Sequence, residues 1–366
     1  LLMSRKNMTE QEAHRYLQEN SKIPLLLAAN LEAGGNGTAQ EGTFFGYPME
    51  MAAAGDTVHA YHLGKVAASE GSAVGCNWAF APILDINRNP LSPITNVRTY
   101  GDDPAQIIRM ARAFIKGVRE CDMAVSIKHF PGDGMDSRDQ HLHPTENYLT
   151  PDEWDASYGR IYRAMIEDGA ETVMVGHIML PEYSRKLVPG IQNEDIRPAT
   201  TAPELLQGLL REKLGFNGVI VTDASPMGGF TMAMSRREAI PTAIAAGCDM
   251  FLFNRNMKED FQFMKEGLEN GILTEQRLDE AVIRILALKA SMKLPQKQQQ
   301  DELVEPEAAL SRIGQPEYQQ WAATAADEAV TLVKDTQQVL PLDPLKQPRI
   351  LLYIFGDQGG YFGDGA

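Results

Sequence analysis

The sequence predicts an α/β barrel, a ring of parallel strands wrapped by helices, and two observations carry that expectation. Short, continuous apolar runs alternate with amphipathic stretches along most of the 366 residues, which is the pattern of a parallel sheet buried on both faces. The runs also end repeatedly in polar residues with chemical capacity: Asn30, Asp85, Lys128 and His129, His177, Asp223 and Asn254. In a (β/α)8 TIM-type barrel those carboxyl ends converge on one face, where active sites are built. Composition shows no mid-chain break, which favours one closed barrel over two doubly wound domains.

The strand-like runs are 1–3, "IPLLLAA" (23–29), "WAFAPILDI" (78–86), "AVSIKHF" (124–130), "TVMVGHIML" (172–180), "GVIVTD" (218–223) and "CDMFLF" (248–253). They fall one short of eight, and the first strand is the one missing. Helical patterns fill 51–71, 103–121, 202–216 and 273–294. The polar, proline-containing "PQKQQQDELVEPE" that follows reads as a linker. The expected organisation is a catalytic barrel over 1–295, a linker and helix over 296–320, and a fragment of a C-terminal α/β domain over 321–366. That last piece reads as helix, loop and strand, the strand being "RILLYIFG". Both ends of the chain read as cut.

With 43% hydrophobic and 23% charged residues the composition is that of an ordinary globular protein. A net charge of -15 argues against a nucleic-acid or anionic-membrane partner, because phosphate binding needs a basic face. No apolar run approaches the roughly 20 residues that span a bilayer. Cys76, Cys121 and Cys248 stand far apart and read as reduced core residues. No signal peptide is visible, and the compartment stays open between cytoplasm and periplasm.

Chemistry concentrates in "KHFPGDGMDSRDQHLHP" (128–144), which holds three of the seven histidines. Lys128 and His129 end a strand, where two donors suit a substrate rich in hydroxyls, although side chains alternate and only one of the pair should face inward. In the loop, Asp139 sits two residues before His141, and a carboxylate beside an imidazole fixes its tautomer for acid/base work. Gly132 and Gly134 suggest a mobile loop. Asp223, at the end of Val-Ile-Val-Thr, is either a carboxylate nucleophile or the N-cap of a following helix. Asp85 can hydrogen-bond sugar hydroxyls or cap a turn, and Arg98 can clamp a substrate or Asp85. His141-x-His143 and His59-x-x-His62 have metal-ligand spacing, but the second pair lies on a helical pattern and His143 precedes a proline. There is no phosphate-binding loop and no dinucleotide fingerprint.

Taken in order, "IPLLLAANLEAGG", "FAPILDINRNPLSPITNVRTYGDDP", "IKHFPGDG", "VMVGHIMLP", "GFNGVIVTDASPMGG", "AIAAGCDMFLF" and "LTEQRLDEAVIRILALK" resemble glycoside hydrolase family 3 over nearly the whole chain. "KHFPG-x-G" followed by Asp-x-His resembles the family's β-N-acetylglucosaminidase branch. The resemblance implies a retaining, two-step glycoside hydrolase that removes terminal β-N-acetylhexosamine, with no metal or organic cofactor. It implies Asp223 as nucleophile, His141 as acid/base oriented by Asp139, and Lys128, His129 and Arg98 as sugar-binding residues. Asn30, Asp85 and His177 complete the expected substrate-binding set.

Three departures bear on specificity. Asn30 stands where the family usually has an aspartate. An arginine is missing after the Gly-Gly, and Ala224 replaces a frequent second aspartate after the nucleophile. A neutral Asn30 grips a hydroxyl more weakly than a carboxylate does. β-Glucosidase activity, a glycoside phosphorylase and a catalytically silent carbohydrate-binding protein are therefore the alternatives.

Overall fold

The structure of the protein is a computed structural model that describes residues 9–353; the strand expected at 1–3 lies outside them. Two compact units divide the chain, Leu1–Ala329 and Val330–Ala366.

Among the described residues the first unit holds eight strands: β1 (Ala28–Ala29), β2 (Trp78–Ala79), β3 (Ala124–Phe130), β4 (Thr145–Glu146), β5 (Thr172–Val175), β6 (Ile178–Met179), β7 (Val219–Ala224) and β8 (Met250–Leu252). Six of them form one sheet in the order β1-β2-β3-β5-β7-β8, every pairing parallel. Helices Thr57–Ala73, Pro104–Arg119, Tyr158–Glu167, Glu204–Lys213 and Arg236–Ala246 lie between successive strands of that sheet. This is the parallel, helix-covered barrel sheet that the alternating runs predict. Among the described residues β1 and β8 are its edges.

Two apolar runs yield less strand than their length suggests. β1 and β2 are two residues each: ahead of β1 the Leu25 and Leu27 N–H groups go to the Gln18 and Asn77 side chains, both at 2.8 Å, and past β2 Pro82 brings no N–H to a ladder. Past Pro82 a single bridge, Ile83 to Lys128, resumes the pairing. The run at 172–180 is two strands rather than one. β5 ends before Gly176, and β6 pairs in parallel with β4 in a separate two-stranded sheet. Helix starts follow local chemistry: the Asp103 carboxylate accepts the Ala105 N–H, and Asp56 accepts that of Val58.

One buried carboxylate ties the lower end of β7 and β8 to the helices outside. Asp249 Oδ2 accepts the Ile220 N–H (2.9 Å) and Arg211 Nη2 (2.7 Å), while Oδ1 accepts Arg277 Nη2 (2.6 Å) and faces Arg284 at 3.5 Å.

Residues 296–329 belong to this unit and pack on its earlier part. Gln11 Nε2 donates to the carbonyl of Glu305, His62 stacks on Trp321 with centroids 4.1 Å apart, and Tyr318 shares a 3.0 Å hydrogen bond with Ser69. In the second unit the strand-like run is exposed and unpaired over 350–353, since a ladder needs a neighbouring strand; its remainder lies outside the described residues.

Asp249→Asn should lower stability by about 3–5 kcal/mol, because it strips the buried Arg211 and Arg277 guanidinium groups of the carboxylate they share. The check is a denaturant titration: the midpoint falls while the m-value holds.

Candidate active site

Past the end of β1, Glu32 is gripped from two sides. Arg98 donates to it through Nε (2.9 Å) and Nη2 (2.8 Å), and Lys128 through Nζ (2.7 Å). Asn30 Oδ1 takes a longer bond, 3.3 Å, from the same Lys128 Nζ. Burial alone would push the Glu32 carboxyl up, but Arg98 and Lys128 outweigh it and hold the group far below the usual carboxylate range. Arg98 thus clamps Glu32, not Asp85. Glu32 is a site residue that the sequence reading missed. It lies in the bend just past β1, where Arg98 and Lys128 reach it only in the folded chain.

From β3, Lys128 and His129 both enter the cluster, although adjacent side chains on a regular strand would not. The Lys128-His129 peptide is cis, and the register against β5 slips between Ile127 and Phe130. His129 Nδ1 pairs with Asp85 Oδ2 at 2.6 Å, which leaves Nε2 facing Asp223 Oδ2 at 3.9 Å. Asp85 Oδ1 accepts the backbone N–H groups of His129 (3.2 Å) and Asp133 (2.8 Å).

Asp223 ends β7 with its side chain 14% exposed. Oδ1 accepts the N–H of Ala224 at 2.7 Å. That residue is still strand, and the next helix, Gly228–Thr231, is capped by Met227; the N-cap reading is therefore wrong. Burial pushes the Asp223 carboxyl up, but His129, His177, the Ala224 amide and Lys128 together bring it below its ordinary value. It is held ionised.

The β3–β4 loop carries Asp139 and His141. Asp139 Oδ1 accepts the His141 N–H at 2.8 Å and bonds the ring Nδ1 at 2.7 Å, so Nε2 is left for other partners. The His141 side chain is 39% exposed. The loop is seated beside the β7 strand end: the Gly228 N–H donates to the His141 carbonyl at 2.6 Å. The ring of His177 feels both Asp223 and His141. Gly132 and Gly134 also meet a steric demand where the loop leaves β3. Both have positive φ, and a Cβ would lie 2.1 Å from the Tyr158 ring at the first and 2.0 Å from the Ile86 carbonyl at the second.

Two expected sugar contacts are instead internal supports. Asp85 is 1% exposed and His177 fully buried. Asp85 spends both oxygens on His129 and Asp133, while the His177 ring nitrogens are taken by Thr200 Oγ1 (3.1 Å) and the Ala224 carbonyl (3.0 Å). Burial lowers the His177 ring's proton affinity. The other histidine pair is occupied elsewhere, His59 by Glu328 at 2.8 Å and His62 by Trp321. Among the described residues no group of His, Cys, Asp and Glu is placed to hold a metal ion, and all three cysteines are free. No described helix is long and apolar enough to cross a membrane.

The model of the glycosyl hydrolase family 3 N-terminal domain matches residues 3–288. The chain belongs to glycosyl hydrolase family 3. Over 350 residues it is 45% identical to a β-N-acetylglucosaminidase/β-glucosidase of Cellulomonas fimi, a match that covers 96% of this chain and 61% of that protein. A β-hexosaminidase A of Pseudoalteromonas piscicida is 30% identical over 347 residues, 89% of this chain and 56% of the other. Two further comparisons come from solved structures. The β-glucoside phosphorylase BglX bound to 2FGlc aligns with a TM-score of 0.89 at 52% identity, over 92% of this chain and 60% of that one. A β-N-acetylglucosaminidase from Paenibacillus sp. aligns at 0.78 and 27%, over 90% and 61%. The chain thus spans less than two thirds of the length of these relatives.

Beneath the site, Asp133 is pushed up to about 7, first by burial and then by the neighbouring Asp85 carboxylate. A carboxyl raised in the folded state binds its proton more tightly folded than unfolded. Its stabilisation is therefore complete below about pH 4 and is lost as pH rises toward about 7. Asp133→Asn removes that titration. Its melting temperature should gain on the wild type steadily from pH 4 to pH 7; a pH-independent gap would contradict the assignment.

Proposed function

We propose that the chain carries the catalytic machinery of a retaining, exo-acting glycosidase that removes terminal β-N-acetylhexosamine. One observation supports this above the others. Asp223 is ionised, partly exposed and aimed out of a strand end, while the Asp139–His141 dyad is seated beside that same end.

In the first step Asp223 Oδ2 attacks the sugar's C1 and the bond from C1 to the aglycone oxygen breaks. His141 Nε2 hands its proton to that departing oxygen. In the second step a water oxygen attacks C1, His141 takes the water's proton, and Asp223 leaves. Asp139, fixed on Nδ1, keeps Nε2 pointed at the reacting oxygen and stabilises the charged ring. Lys128, Arg98 and Asn30 border the space in which sugar hydroxyls would be gripped. Glu32 holds the two cations in place.

Phosphorolysis is the second reading, favoured by the 52% identity to a β-glucoside phosphorylase. In it phosphate replaces water in the second step, and a neutral imidazole repels that anion less than a carboxylate would. Turnover of aryl β-N-acetylglucosaminide and aryl β-glucoside, with and without phosphate, separates the two. Phosphate-independent release of N-acetylglucosamine supports hydrolysis; strict phosphate dependence, or turnover of the glucoside alone, overturns it.

For the residues themselves, Asp223→Asn should abolish covalent trapping by a fluorinated sugar, seen by intact-protein mass. His141→Ala should slow a glycoside with a poor leaving group by roughly 100-fold or more, as expected for lost general acid catalysis. An activated aryl glycoside should lose far less in its first, bond-breaking step. Equal losses in that step would remove His141 from the acid role.

A further inference from the structure

Building on the roles given above to Asp223 and His141, we propose that Gln140 is the positioning residue that holds the acid/base loop in its seat. The side chains on either side of it, Asp139 and His141, are 29% and 39% exposed, yet Gln140 itself is 1% exposed. Its amide is used at both ends. Nε2 donates to Asp133 Oδ2 at 3.1 Å, and Oε1 accepts the His177 N–H at 2.9 Å. Its backbone carbonyl accepts the Gly229 N–H at 3.1 Å. One residue therefore pins the loop to the ends of β3, β5 and β7.

A buried amide satisfied at both ends resists leaving, because departure strands a donor or an acceptor in a poorly solvated place. The pin also connects the two halves of the site. Asp133, which receives the Gln140 amide, donates its own N–H to Asp85, and Asp85 orients His129 toward Asp223. On the opposite side the seat is closely shaped. A Cβ at Gly228 would lie 2.2 Å from the Leu142 carbonyl oxygen, and one at Gly229 would lie 2.7 Å from that of Gln140. Gln140 touches no reacting atom in this scheme. It acts through His141.

That indirect action gives a signature which lost packing alone would not. With glycosides of whichever sugar the wild type cleaves, Gln140→Ala should lower kcat/KM for an alkyl leaving group by about tenfold or more. A dinitrophenyl leaving group, which needs no proton, should lose less than about threefold in kcat/KM. In a His141→Ala background, adding Gln140→Ala should cost the alkyl substrate nothing further, since the residue it positions is gone. Gly228→Ala disturbs the seat without touching the Gln140 amide and should reproduce the same selective loss, so the proposal remains testable if Gln140→Ala folds poorly. Equal losses on both substrates, or losses that multiply in the double variant, would overturn it. Trapping at Asp223 keeps the two readings apart: its absence in the wild type sinks the nucleophile assignment, whereas a normal wild type with an unselective Gln140→Ala sinks only the positioning role.

Discussion

The carboxylate of Asp85 is the constraint on which the rest of the site depends. Buried under the strand ends, it takes the His129 ring nitrogen on one oxygen and the backbone N–H groups of residues 129 and 133 on the other. The first contact aims the far side of the imidazole at Asp223. The second fixes the strand where its register slips, and the third sets the direction in which the acid/base loop departs. A side chain without that pair of acceptor oxygens would release all three, because each hydrogen bond is made to the same buried group.

Around that centre the carboxylates divide by how fully their oxygens are used. Glu32 is saturated by Arg98 and Lys128, and Asp133 by the Gly134 amide and Gln140. Asp223 differs from them. Among the described residues it accepts the Ala224 amide on Oδ1, while Oδ2 has the His129 ring nitrogen at 3.9 Å, beyond hydrogen-bond reach. An oxygen that is ionised yet not consumed by a donor is what a nucleophile requires. Lys128 and Arg98 are held by Glu32 instead, so in the proposed mechanism a residue with no part in bond making protects the reactivity of Asp223.

The barrel sheet was legible because apolar runs and amphipathic stretches alternate without interruption, and the place of Asp223 at a strand end because it follows four strand residues directly. What escaped was whatever depends on contacts between distant segments. Glu32 lies in "NLEAGG", where Asn30, at the strand end, drew the assignment; only the fold brings Arg98 and Lys128 to the glutamate. Asp85 and His177 were legible as strand-end residues, but nothing in their spacing tells an inward support from a sugar contact. The expectation of one side chain inward from Lys128 and His129 assumed a regular strand, and the ladder is irregular at that point. The split of 172–180 was hidden for a similar reason: Gly176 interrupts an otherwise apolar run, but the partner that turns 178–179 into a strand is β4, remote in sequence.

β4 also recasts the acid/base loop. Glycines within a polar stretch read as freedom, yet Gly132 and Gly134 are placed where a side chain would strike Tyr158 or Ile86. The loop leaves β3 under the hold of Asp85, is fastened midway at Gln140, and returns as β4 alongside β6. The exposed positions fall on either side of that fastening, at 137–138 and at 142–143, with His141 part-exposed beside it. A proton shuttle needs that combination. Its backbone must stay within reach of the leaving oxygen through two steps, while its ring must adjust between giving a proton to one oxygen and taking it from another. A loop pinned at Gln140 and open at His141 meets both demands within two adjacent residues.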